Sequence, residues 1–208
     1  MPIKPIFLAP FCEGQYYHLY NRTNGSHKIF RNAENYRFFI QNFENYLKEV
    51  LDIYSYCLLP SHFHYIVRVK QLADMIDFLK SLSKTGADIN TDLINIFRAF
   101  FTGYTMAFNK YHHRQGSLFN HKFRRVLIDD IETLKDRIFY VHSNPVHHSL
   151  TKEFRDYKWS SYPIIVSGEP TIIKREEVLG IFGGKDQFIK YHDTHKAVIA
   201  RPNRSDLL

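Results

Sequence analysis

Hydrophobic residues recur along this chain with two different periods, and the order in which those periods appear predicts an α+β domain. Apolar stretches bounded by turn residues are typical of strands, whereas apolar residues three and four positions apart are typical of helices. Strands are predicted at residues 14–22, 53–59, 62–70 and 122–128, and helices at 32–50, 72–82, 93–111 and 131–143. The chain therefore begins with a βαββ arrangement and continues with two helices, a fourth strand and a last helix.

The pattern weakens after residue 150, where only a strand at 162–166 and a short helix at 176–181 are indicated. No repeat, linker or low-complexity tract separates this part from the rest. We therefore expect one domain over residues 1–150 and a C-terminal appendage, residues 151–208, packed on the same domain. The last helix of the main domain should end before Pro145, because a proline ring disfavours helical geometry at the preceding residue.

The composition is that of an ordinary globular protein. The chain has 208 residues, of which 44% are hydrophobic and 24% charged, so it can bury a substantial core. No apolar run approaches the roughly 20 residues that cross a bilayer, and the first residues lack the pattern of a signal peptide. We expect a cytosolic protein without membrane association. The two cysteines, Cys12 and Cys57, predict neither a disulfide framework nor a metal site.

The charge of the chain points to a polyanionic partner. Lysine and arginine number 28 against 21 Asp and Glu, which gives a formal net charge of +7. No acidic residue occurs between Asp92 and Asp129, whereas basic and aromatic residues are frequent there. Such cations neutralise phosphates and such rings stack on unpaired bases, although a solvated basic face is the plainer alternative.

A pair of histidines, in the sequence His62-Phe63-His64, lies within a predicted strand. Residues two apart on a strand share a face, so both imidazoles project the same way and Phe63 points back into the core. Two histidines that converge from a rigid strand make a natural pair of metal ligands, although two independent histidines would give the same pattern. A zinc hydrolase would need a third strong ligand, and no Asp or Glu occurs within the nine residues after His64.

The last helix of the main domain carries a second candidate. A helical projection places its apolar residues on one stripe, and Tyr140 with Asn144 on roughly the opposite side. A phenol is a poor nucleophile at neutral pH unless a metal or a base assists it. Tyr140 is therefore a candidate nucleophile if it lies beside a metal held by the histidine pair. An ordinary surface tyrosine is the alternative, and we expect His142 on the surface as well.

Several stretches together resemble one family, the IS200-like single-tyrosine HUH transposases, and within it the REP-associated tyrosine transposases. In the family's order, the stretches are Tyr17-His18-Leu19-Tyr20-Asn21-Arg22, Leu58-Leu59-Pro60-Ser61-His62-Phe63-His64, residues 109–119, Tyr140-Val141-His142-Ser143-Asn144-Pro145-Val146 and Trp159-Ser160-Ser161-Tyr162. Each stretch alone is a weak signal, and the combination is specific.

The resemblance implies a ferredoxin-like antiparallel sheet flanked by helices, with a C-terminal extension. It implies a metal-dependent endonuclease and strand transferase that acts on single-stranded DNA at hairpins or palindromic repeats. Tyr140 would be the nucleophile, forming a 5′-phosphotyrosine linkage and leaving a free 3′-OH. His62 and His64 would be metal ligands, and Asn144 would be a third ligand of the amide type.

The resemblance and the donor types also suggest the remaining partners. The ion would be Mg²⁺ or Mn²⁺, of which Mn²⁺ tolerates nitrogen ligands better. Rejoining would need no ATP, in agreement with the lack of a glycine-rich phosphate-loop motif. The candidate DNA-contacting residues are Arg22, Asn109, Arg114, Lys122, Arg124 and Arg125.

Two other functions stay open at this point. A non-cleaving, hairpin-binding regulatory protein derived from such a transposase would use the same basic face, but the intact set of His62, His64 and Tyr140 favours an enzyme. A zinc hydrolase is disfavoured by the lack of a nearby carboxylate. The resemblance implies a bacterial, nucleoid-associated protein and allows a monomer or a homodimer, with the monomer favoured.

Overall fold

Four antiparallel strands form the sheet at the centre of the protein. The structure, a computed structural model, describes residues 5–25, 27–120 and 123–196. The strands are β1 (Tyr16–Arg22), β2 (Leu51–Leu59), β3 (His62–Val69) and β4 (Arg124–Ile128), in the spatial order β2-β3-β1-β4. With the helices between them, this order is the ferredoxin-like arrangement. The fold expected from the sequence is confirmed.

Two helices cover one face of the sheet, and aromatic rings fill the space between them. These helices are α1 (Ala33–Leu47) and α3 (Ile89–Tyr111), and the shorter α2 (Leu72–Ser81) precedes α3. Tyr65 of β3 stacks on Phe43 of α1 with ring centroids 3.9 Å apart. Such a pair contributes about 0.5–1.5 kcal/mol beyond the burial of its area. This packing fixes which side chains of β3 face the opposite way.

Helix α4, Ile131–His147, lies on the opposite face of the sheet. It begins at the N-cap Asp130, whose side chain accepts a hydrogen bond from the third helical residue at 2.8 Å. The helix continues through Pro145, so the predicted end before this residue is wrong. An internal proline costs about 3 kcal/mol, because it removes a hydrogen bond and crowds the preceding turn. Here residues 141–145 are all buried, and their packing outweighs that cost.

Residues 162–166 form a helix, α5 (Tyr162–Ser167), and the prediction of a strand there is wrong. Pro163 occupies the first turn of α5, where a helix does not use the missing N–H. Gly168 ends the helix with a φ of 80°, a conformation that favours glycine. Both signals are present in the sequence and outweigh the β-branched residues between them.

Two further helices complete the described chain. The predicted helix at 176–181 is confirmed as α6 (Arg175–Phe182), and α7 (Lys185–His195) follows it without having been predicted. The last part of the predicted appendage, residues 197–208, lies outside the described residues. Within the described ranges, no helix is both long enough and apolar enough to span a bilayer.

Segments from both ends of the chain run along the outer strands of the sheet. On the β2 side, the amide of Leu58 donates to the carbonyl of Trp159 at 2.9 Å. The amide of Ser161 donates to the carbonyl of Tyr56, also at 2.9 Å. On the β4 side, the amide of Ala9 donates to the carbonyl of Arg125 at 3.1 Å. The residues after 150 therefore pack directly against the sheet.

A candidate histidine and tyrosine site

The face of the sheet beneath α4 carries a row of histidines. On β3, His62 and His64 point to this face, whereas Phe63 is buried on the other side against Phe39 of α1, with ring centroids 5.0 Å apart. The shared orientation predicted for the two imidazoles is confirmed. In the pairing of β1 with β3, Tyr20 lies opposite His64, so His18, two residues earlier, shares this face.

His18 is a member of the site that the motif did not single out. Its Nε2 lies 2.9 Å from Nδ1 of His64, and both rings are 5% exposed. Burial lowers the pKa of His18 to about 3, with a smaller effect of Arg137, and it also lowers the pKa of His64 well below its usual value. Both rings are therefore neutral, and one nitrogen donates to the other. The alternation of β1 is the signal that could have found His18.

Tyr140 of α4 lies over this histidine pair. The centroid of its ring is 5.9 Å from that of His18 and 5.8 Å from that of His64, in edge-on arrangements. The ring is partly buried, so Tyr140 is not an ordinary surface tyrosine. The structure thus brings together the phenol and the histidine motif, which are far apart in the sequence.

Asn144 follows one helical turn after Tyr140 and is fully buried. Its Nδ2 donates a hydrogen bond to the carbonyl of Tyr140 at 2.7 Å. Its Oδ1 has no hydrogen-bond partner among the described residues. Buried polar atoms are nearly always paired, so this amide oxygen has a lone pair that a further partner could use.

The end of α4 adds two more histidines, His147 and His148. The Nε2 of His148 lies 3.2 Å from Nε2 of His62, whose Nδ1 lies 3.1 Å from the hydroxyl of Ser61. Burial first, and then His148 and Arg22, lower the pKa of His62 to about 3. The ring of His147 is 6.1 Å from that of Tyr140. These residues enter the site only because α4 runs through Pro145.

Two of the predicted DNA-contacting arginines lie on the same face as the histidines. Arg22 is exposed and pairs in register with His62. Arg124 pairs in register with Tyr20, and its guanidinium lies 5.6 Å from the centre of the Tyr20 ring. A cation on an aromatic ring beside the site leaves N–H groups free to approach a phosphate. Lys122 lies outside the described residues.

The other three predicted DNA-contacting residues, Arg125, Arg114 and Asn109, form hydrogen bonds within the protein. Arg125 points to the opposite face, where its Nε donates to the carbonyl of Ala9 at 2.6 Å. Arg114 donates to the Asn109 side chain at 2.8 Å and to the carbonyl of Ser117 at 2.6 Å. These hydrogen bonds hold the N-terminal segment and the turn after α3. These three side chains therefore support the fold, and the DNA contacts expected for them stay predictions.

His142 is buried, so the expectation of a surface position is wrong. Its Nε2 lies 2.7 Å from the hydroxyl of Ser161, and its Nδ1 lies 2.9 Å from Nε2 of His192 on α7. Burial lowers the pKa of His142 well below its usual value, and that of His192 to about 4. Helix α4 is thus covered on both sides, by the sheet beneath Tyr140 and by α7 beside His142.

The described residues contain no cluster of three or more His, Cys, Asp or Glu side chains arranged to hold a metal ion. The predicted set of His62, His64 and Asn144 contains only two histidines, and its third donor is an amide oxygen, so it would not form a cluster of this kind. The neutral imidazoles and the unpaired Oδ1 of Asn144 fit a hard divalent ion that keeps part of its water shell.

The fold and the site define an α+β domain with a histidine pair on a central strand and a tyrosine helix across it. Among solved structures, one of a REP-associated tyrosine transposase bound to a REP hairpin is similar to this chain, with a TM-score of 0.58 and 17% sequence identity. The match covers 79% of this chain and 87% of that chain. The resemblance indicated by the sequence motifs is thereby confirmed at the level of the fold. No protein-family model and no curated protein matches this chain.

Proposed function

We propose that this chain is a metal-dependent endonuclease and strand transferase that cleaves single-stranded DNA at hairpin or palindromic repeats, with Tyr140 as the nucleophile. The observation that carries the proposal is the position of the Tyr140 ring over His18 and His64, one helical turn before the unpaired oxygen of Asn144. The similar transposase was solved with a REP hairpin, which supports a DNA hairpin as the substrate.

In the proposed reaction, Oη of Tyr140 attacks the phosphorus of the scissile linkage and the bond from phosphorus to the 3′-oxygen breaks. The phenol loses a proton and the 3′-oxygen gains one, so the step is neutral in protons. The product is a 5′-phosphotyrosine with a free 3′-OH. Because one phosphodiester replaces another, the 3′-OH can later attack the tyrosine linkage without ATP.

A divalent ion, Mg²⁺ or Mn²⁺, would be held by His62, His64 and Asn144. When bound, it would withdraw charge from the phosphate oxygens and stabilise the leaving 3′-oxygen. A metal-binding imidazole needs a lone pair on one nitrogen, and its other nitrogen then holds the proton. Since Nδ1 of His64 lies against Nε2 of His18, Nε2 of His18 would accept a hydrogen bond from this N–H and so direct Nε2 of His64 to the ion.

Arg22 and Arg124 would bind the DNA backbone around this centre. Both lie on the histidine face: Arg22 of β1 lies opposite His62, and Arg124 of β4 lies opposite Tyr20. Exposed guanidinium groups beside a nucleophile draw phosphates towards it and make binding sensitive to salt. The net charge of +7 acts in the same direction over longer distances.

The test is a gel assay of the whole chain with end-labelled hairpin oligonucleotides taken from the flanks of its gene, in Mn²⁺ or in EDTA. We expect a protein–DNA adduct that resists denaturation, requires the ion and is absent in Tyr140→Phe. Tyr111→Phe is the matched control, because Tyr111 is an exposed tyrosine at the end of α3, away from the histidine face. Tight, salt-sensitive binding of hairpins without an adduct under any divalent ion would instead favour a non-cleaving regulatory protein.

A further inference from the structure

We propose that His192 of α7 is a positioning residue for Tyr140, acting through a network of hydrogen bonds on the far side of α4. The inference deepens the proposed function and rests on it, because it concerns the nucleophile assigned there. Neither the sequence motifs nor the fold comparison gives His192 a role. The network consists of Ser161, His142 and His192, and all three side chains are buried.

Each proton in this network has one place. Burial keeps both imidazoles neutral, because it lowers their pKa values. Nδ1 of His192 lies 2.8 Å from the carbonyl of Phe188, which can only accept, so this nitrogen carries the proton and Nε2 carries the lone pair. Nδ1 of His142, 2.9 Å away, therefore donates to Nε2 of His192. Nε2 of His142 is left to accept, and the hydroxyl of Ser161 donates to it at 2.7 Å.

The network joins four elements of the fold. The amide of Tyr56 on β2 donates to Oγ of Ser161 at 2.9 Å, and Ser161 is the N-cap residue of α5. The other two members, His142 and His192, lie on α4 and α7. Every donor in the network meets an acceptor. A buried polar network that is fully satisfied rigidifies the core and favours one arrangement of the elements that it joins.

The network meets α4 where this helix has lost a hydrogen bond of its own. Pro145 has no N–H, so the carbonyl of Val141 lacks its usual partner within the helix, directly before His142. Residues 140 and 142 are about 200° apart around the helix axis. The hydrogen bonds of His142 therefore hold the side of α4 opposite Tyr140. They fix the rotation of the helix that aims Tyr140 at the histidine face.

A small rotation of α4 would matter for the reaction. An atom about 6 Å from the helix axis moves by about 2 Å when the helix turns by about 20°. A displacement of about 1 Å at a reacting atom can slow a reaction about a hundredfold. Loss of the network should therefore slow the attack by Tyr140. It should leave DNA binding, which we assign to Arg22 and Arg124, nearly unchanged.

The test compares His192→Leu, which removes the acceptor for His142, with His192→Gln, whose amide oxygen can replace Nε2. At saturating hairpin and well below its Tm, His192→Leu should form the adduct about tenfold or more slowly, with hairpin affinity within about twofold. His192→Gln should recover the rate to within about threefold. Phe182→Leu is the matched control for lost packing, because the ring of Phe182 lies 5.8 Å from that of His192 and takes no part in the network. Its rate should equal that of the unchanged protein.

A second measurement needs neither DNA nor metal. In protein labelled with 3-fluorotyrosine, the fluorine resonance of Tyr140 is the one that is missing from Tyr140→Phe. This resonance should shift or split in His192→Leu. It should do the same in Ser161→Ala, which removes the hydroxyl donor at the other end of the network, and it should stay in place in Phe182→Leu.

The outcomes separate this inference from the proposed function. If His192→Leu forms the adduct as fast as Phe182→Leu, or if its Tyr140 resonance is unchanged, the inference is overturned and the proposed function stands. If His192→Leu does not fold, Ser161→Ala decides by the same two measurements. If the unchanged protein forms no adduct, the proposed function fails, and the resonance of Tyr140 alone decides whether the network positions its ring.

Discussion

The unpaired oxygen of Asn144 leads to a prediction in which stability and ion binding change in opposite directions. In the metal-free protein, a buried oxygen without a hydrogen bond costs about 1–3 kcal/mol. Asn144→Leu removes this oxygen with a side chain of nearly the same size and loses one hydrogen bond, from Nδ2 to the carbonyl of Tyr140, worth about 1 kcal/mol. Leucine also has a helix propensity better by about 0.5 kcal/mol.

The net effect is a stabilisation of about 1 kcal/mol in EDTA, which raises Tm by about 2–4 °C in a chain of this length. The measurement is thermal and urea unfolding followed by circular dichroism. With Mn²⁺ at a hundredfold excess over Kd, the unchanged protein should gain about 2.7 kcal/mol, and Asn144→Leu should gain much less.

The matched control is Asn35→Leu, a second buried asparagine in a helix. The Oδ1 of Asn35 accepts hydrogen bonds from the amide of Arg31 and from His112, both at 3.1 Å. Its replacement should therefore destabilise the protein by about 1–3 kcal/mol. A loss of more than about 1 kcal/mol in Asn144→Leu in EDTA would refute the reasoning, since it would show that Oδ1 is satisfied in the free protein.

Two further predictions concern pH and charge. Burial lowers the pKa of His192 to about 4 in the folded chain, whereas the unfolded chain binds this proton near pH 6.5, so this residue alone should lower the free energy of unfolding by about 3 kcal/mol between pH 6.5 and 4. Burial also lowers the pKa values of His18, His62, His64 and His142, which add to the fall in the same direction. Urea unfolding over this range tests it, and a flat profile would contradict it. Arg124→Ala should weaken hairpin binding and lower the salt slope by about one, whereas Arg125→Ala should lower Tm and keep the slope. Equal slopes for both variants would contradict a phosphate contact that Arg124 makes and Arg125 does not.

The local patterns predicted the elements of the sheet well, because each pattern has a direct geometric meaning. The alternation around Phe63 required only the period of a strand to place His62 and His64 on one face. The partnership of His18 with His64 requires the register between β1 and β3, which is a property of two distant segments. A single strand does not encode it.

The buried position of His142 shows a second limit of the sequence. A helical projection separates an apolar stripe from a polar one and treats the polar side as solvated. Helix α4 is covered on both sides, so both the paired His142 and the unpaired oxygen of Asn144 are buried. Helix α4 also continues through Pro145, because the burial of several neighbouring residues outweighs the local preference of this proline.

The segments that lie along β2 and β4 determine how this sheet can meet other chains. An open outer strand offers a row of unpaired amides and carbonyls, to which another strand can add and begin aggregation. The hydrogen bonds of Leu58 with Trp159 and of Ala9 with Arg125 occupy part of that row on each side. A second molecule can extend the sheet there only by displacing a segment already bound. A chain shortened to residue 150 would uncover the β2 row and should aggregate when the longer chain stays dispersed.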